Sequence, residues 1–188
     1  GLDVTSAAVV LTACSLTADD VLGGLRTGVD AARGLGVEAH LVGTLDRAMA
    51  DAVGVASPAT PNPTTRASPA GPSLDTLRSL APDPTSLSAL AGGLYVAATH
   101  AEPERFREAV ELAAGRLEGA AVAAVAGALL GAAHGASRLP VDLVARHELA
   151  WTLDVLARDV VAQLSDPPGG SEYVEARDPL WQARYPGW

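Results

Sequence analysis

From Gly119 to Gly135 the chain reads GAAVAAVAGALLGAAHG, a run of small and apolar residues with a single histidine. Gly119, Ala123, Gly127, Gly131 and Gly135 recur every fourth residue. On a helix this spacing forms one nearly bare stripe, against which another helix can pack closely. The fold class expected is therefore all-α, a compact orthogonal helical bundle around a central Ala/Gly-rich helix, with this segment as the central one. Its length approaches the ~20 residues of a membrane span. Alanine and glycine give little transfer energy, however, and His134 would be costly in lipid. A buried core helix is expected, and no membrane partner.

The same bias runs through the whole composition. Of 188 residues, 48% are hydrophobic but only 4% aromatic, so the core must come from Ala, Leu and Val. Every basic residue is arginine, and lysine and isoleucine are absent. The net charge of −9 argues against nucleic-acid or anionic-membrane partners, which need clustered cations. With Cys14 as the only cysteine, neither an intrachain disulfide nor a cysteine-based metal cluster can form. Its apolar neighbours suggest a buried, inert thiol. The opening GLDVTS lacks a basic n-region, so no secretory leader is expected and a cytoplasmic location is.

Helical periodicity organises most of the chain. An apolar helix is expected over 4–16. Thr17 is expected to cap a second helix, with Asp19 and Asp20 in its first turn and Gly34 and Gly36 at its end. A third runs from about Glu38 to Val53. Five prolines between Ser57 and Ser73 permit neither helix nor strand, so this stretch reads as a linker or loop. Helices follow at 74–80, at 87–99 behind Thr85 or Ser86, and from Pro103 with Phe106, Val110 and Ala113 or Ala114 inward. After the small-residue helix, Pro140 opens another. A last helix carries Leu149, Leu153, Leu156, Val160 and Leu164 on one side. No stretch alternates with period two. The expected organisation is one helical domain over 1–165, interrupted at 57–73, and a tail over 166–188. Tyr173, Trp181, Tyr185 and Trp188 in the tail should pin it to a surface.

Few residues suggest chemistry. Thr17, Asp19 and Asp20 resemble a metal-site fragment, but also a helix start. His100 with Glu102 and Glu104 reads as a small acidic site or a solvated turn. His134 reads as a core or rim histidine, and His147 and Glu148 as surface partners of Arg146 and Asp142. No phosphate loop, nucleophile elbow or zinc spacing occurs.

One resemblance goes further. Leu87 to Leu139 resembles the closing region of the ADP-ribosylglycohydrolases. In that family a helix like Phe106–Ala114 precedes a Gly-Gly-Asp-Thr-Asp-Thr-like loop. The loop opens a helix reading roughly VAAIAGALLGA, and a Leu/Ile-Pro step follows. Here Val122 to Ala132 reads VAAVAGALLGA, and Leu139-Pro140 supplies the step. The resemblance implies hydrolysis of the glycosidic bond to ADP-ribose, with two Mg²⁺ ions held by hard oxygen ligands. The metal loop is where this chain departs. Glu118, Gly119, Ala120 and Ala121 stand where the family has Asp-Thr-Asp-Thr, so Glu118 alone can ligate a metal. The family's other motif, Thr-Asp-Asp-Thr, is absent, and Thr17-Ala18-Asp19-Asp20 echoes it only imperfectly.

Three readings follow. The chain is part of a longer divergent hydrolase whose N-terminal half or protein partner is missing, a degenerate member that keeps the fold for binding, or a helical scaffold or interaction module. In the first two, the site is expected at the start of the small-residue helix, with Arg116, Glu118, Gly119 and Ala120 contacting ADP-ribose or an ADP-ribosylated protein. Free N–H groups there attract phosphate without any side chain.

Overall fold

A computed structural model of the chain describes residues 3–56, 71–115, 119–165, 169 and 177–185. Ten α-helices and no β-strand occur among them. Chain contacts define two compact units, 1–140 and 141–188. The first holds α1 (Val4–Thr17), α2 (Val21–Gly34), α3 (Ala39–Ala56), α4 (Leu74–Leu80), α5 (Ser86–Thr99), α6 (Phe106–Ala114) and α7 (Ala120–His134). Most helix starts obey the sequence. Ser73 caps α4 and Thr85 caps α5, each accepting backbone N–H groups of the first turn. Pro103 opens a short 3-10 turn ahead of α6. Gly36, at φ 80°, lets the chain leave α2 in a left-handed conformation. One cap differs from expectation. Asp20, not Thr17, caps α2 by accepting the Gly23 N–H at 2.7 Å. Thr17 ends α1, and its hydroxyl turns back to the carbonyls of Ala13 and Cys14.

The all-α bundle around an Ala/Gly-rich helix is present, and the helix at its centre is α5. From Leu90 to Thr99 every residue of α5 is buried, and it packs against α1, α2, α3, α4, α6 and α7. The reason lies in Gly92 and Gly93. A Cβ on Gly93 would come within 2.5 Å of Val125 Cγ1 and 3.1 Å of the Ala126 backbone nitrogen. The backbones of α5 and α7 therefore lie almost in contact. Gly24 and Gly28 do the same for α2 against α1, where a Cβ on Gly28 would sit 2.9 Å from Leu11 Cα. The stripe on α7 does not serve this purpose. Gly131 has no neighbour within 4 Å of its missing Cβ, and at Gly127 the nearest atom is the Phe106 ring at 3.9 Å. Instead, α7 buries Val122, Ala126, Leu129 and Leu130. Likewise α6 buries Ala109 and Ala113, while Phe106 is only partly buried.

Tyr95 is the one fully buried aromatic side chain among the described residues. Its hydroxyl accepts the Ser73 N–H at 3.0 Å, tying the start of α4 to the middle of α5. Cys14 is half-buried rather than enclosed. No described helix is long and apolar enough to cross a membrane. Of the proline-rich stretch, 57–70 lies outside the described residues.

The second unit contains α8 (Val141–Arg146), α9 (Ala150–Ser165) and the short α10 (Trp181–Arg184). Two of the four tail aromatics, Trp181 and Tyr185, lie among the described residues. The Trp181 and Tyr185 rings lie 4.9 Å apart, and Arg184 stacks over Trp181. Tyr185 donates its hydroxyl to Asp159 at 3.0 Å, and Arg184 pairs with both Asp159 and Asp178. These contacts fasten α10 to α9. Tyr173 and Trp188 lie outside the described residues. Leu153, Leu156, Val160 and Leu164 on one side of α9, and Leu149 just before it, are exposed, and no residue of α9 is buried.

Candidate functional site

The expected site is the start of α7. Four other helices of the first unit begin under side-chain caps, from Asp3, Asp20, Ser73 and Thr85. By contrast, α7 begins at Gly119 with no side-chain cap. Glycine is required there for space, because a Cβ would overlap the Ala113 carbonyl oxygen at the end of α6. That close approach positions Ala120, Ala121 and Val122 on a cavity of about 240 Å³, closed on the other side by Asp83, Pro84, Thr85 and Ala89 of the α5 start. Two helix N-termini thus meet at one cavity. Each supplies the equivalent of about half a positive charge through its oriented N–H groups. At α5 that field is already answered by Asp83, whose Oδ1 accepts the Thr85 N–H at 3.1 Å and the hydroxyls of Thr85 and Ser88. At α7 no side chain among the described residues caps the helix.

Among the described residues the donor set does not fit a magnesium pair. Ala120 and Ala121 carry no oxygen beyond the backbone, and Asp83 is engaged by Thr85 and Ser88. Among the described residues no group of three or more His, Cys, Asp or Glu side chains could hold a metal ion. Of the site residues expected from the sequence, Ala120 lines the cavity and Gly119 directly precedes it. Arg116 and Glu118 lie outside the described residues. Sequence reasoning missed Asp83 and Thr85 as its opposite wall. Only Thr85 carried a signal, as a helix cap.

The remaining chemical candidates gather at the other end of α7. Asp19 and Asp20 at the start of α2, Glu102 before α6 and His134 in the last turn of α7 line one depression of about 390 Å³. His134 Nε2 is buried there without a hydrogen-bond partner among the described residues. Asp20 is occupied as a helix cap.

His100 behaves differently. It is 3% exposed, with Nδ1 3.0 Å from both the Val96 carbonyl and the Thr99 hydroxyl. Burial holds its imidazole below the ordinary histidine value, against the opposing pull of the Val96 carbonyl. Arg105 donates to the Thr99 carbonyl at 2.8 Å and pairs with Glu108, closing the end of α5. His147 accepts the Leu149 N–H and helps to start α9.

A family model described as ADP-ribosylglycohydrolase matches residues 2–169. The match is not confined to the closing region over 87–139. It takes in all of the first unit and α8 and α9 of the second. No curated protein matches the chain, and no solved structure does.

Proposed function

This chain belongs to the ADP-ribosylglycohydrolase family, and we propose that within it the start of α7 recognises the diphosphate of ADP-ribose without metal ions. One observation carries the reading: a cavity beside an uncapped helix N-terminus, with alanines where the family's metal-ligating residues are expected. Backbone N–H groups of Ala120, Ala121 and Val122 supply the donors, and α7 supplies the field. Arg116, four residues before Ala120 in the sequence, supplies the countercharge. Glu118, the one candidate metal ligand, is left without the partners a magnesium pair needs. Hydrolysis that depends on two metals is then lost while recognition of the sugar nucleotide remains. The protein acts as a reader of ADP-ribose or of ADP-ribosylated partners.

Backbone amide exchange on the full chain, with and without ADP-ribose, tests this. The expected result is slowed exchange at 119–123, reduced in Arg116→Ala. Protection confined to another segment, or none at saturating ADP-ribose, would overturn the assignment.

A further inference from the structure

We propose that the exposed apolar stripe of α9 is the interface of a homodimer. The stripe consists of Leu153, Leu156, Val160 and Leu164. Their spacings of three and four residues keep them on one side of the helix, and Leu149 extends the pattern just before it. They are exposed by 51, 44, 50 and 82%, and Val161 beside them by 63%. A helix normally turns such a stripe inward. In α9 the half-buried residues are instead Ala150, Val155, Asp159 and Ala162, the last three away from the stripe. Beside it, Trp181 and Tyr185 wall an apolar groove of about 320 Å³ with Leu156, Val160 and Leu164 as its floor.

Area selects a second copy of this chain as the occupant. With Leu149 and Val161 the stripe exposes on the order of 600 Å² of mainly apolar surface, at the top of what a typical monomer shows. A standard interface buries about 800 Å² per partner, some 65% of it apolar in homodimers, or about 500 Å². The stripe meets that need by itself. The three-and-four spacing is also the pattern with which two like helices interdigitate. Along the flank Asp154 pairs with Arg158, and Asp159 is held by Arg184 and Tyr185.

Sedimentation equilibrium of the full chain over a wide concentration range tests this. The expected mass is twice the 19.0 kDa of one chain. Leu153→Glu with Leu164→Glu places unpaired charge in the seam and raises the dimer Kd at least ~100-fold. Trp151→Glu, on the opposite side of α9, leaves it unchanged. Because all three residues are exposed, helix content by circular dichroism should stay constant. A wild-type chain that is monomeric throughout, or a dimer indifferent to the paired Glu substitutions, overturns the proposal.

Discussion

Replacing Gly93 by alanine separates the two accounts of where this bundle is tightest. The new Cβ would lie 2.5 Å from Val125 Cγ1, 2.6 Å from Val125 Cβ and 3.1 Å from the Ala126 nitrogen. Valine is stiff at χ1 and the third contact is backbone, so rotamer change gives no relief. The helices α5 and α7 must part by nearly an ångström before the contacts become ordinary. That would loosen Leu90, Leu94, Leu129 and Leu130, each at most 1% exposed. Overpacking of this kind costs about 1–3 kcal/mol, and this case belongs at the upper end. Better helix propensity returns about 1 kcal/mol. The net loss is about 2 kcal/mol, or a fall of roughly 4–8 °C in Tm for a chain of this size. Gly131→Ala is the matched control. Its Cβ meets nothing within 4 Å, so propensity alone acts and Tm rises by about 2–4 °C. Differential scanning calorimetry of both variants decides. If Gly131→Ala destabilises as much as Gly93→Ala, the stripe on α7 is the packing face and the reasoning fails.

Further outcomes follow from single contacts. Tyr95→Phe leaves the half-buried Ser73 N–H without its acceptor and should cost about 1 kcal/mol, read from the urea midpoint. His100 has a depressed value in the folded chain, so below about pH 6.5 the unfolded chain takes up the proton first. Stability therefore falls as pH drops from about 6.5 towards the folded value, and His100→Gln should remove that slope from urea midpoints measured between pH 7 and 5. An unchanged slope would mean that other groups carry it.

Most of the helices were legible because their ends are written locally. Ser73, Thr85, Pro103 and Gly36 each act within a few residues of themselves. Thr17 and Asp20 are equally good caps three residues apart, and only the path of α1 decides between them. The packed side of α7 was not legible. A segment apolar all round offers no contrast between its sides, and a stripe of small residues reads the same whether it is covered or bare. What decided it was the pair Gly92-Gly93 on another helix. The cavity at α7 was half legible for the same reason. Gly119 and Ala120 lie in the recognisable segment, but Asp83 and Thr85 reach it only through the bundle. The gathering of Asp19, Glu102 and His134 is likewise long-range and leaves no trace in spacing.

The central claim is recognition of ADP-ribose without metal, and calorimetric titration of ADP-ribose into the full chain tests it most directly. Titrations in millimolar Mg²⁺ and in excess chelator are compared. The account predicts saturable binding with the same Kd in both, weakened in Arg116→Ala. Binding that appears only with Mg²⁺, or no binding in either condition, would contradict it.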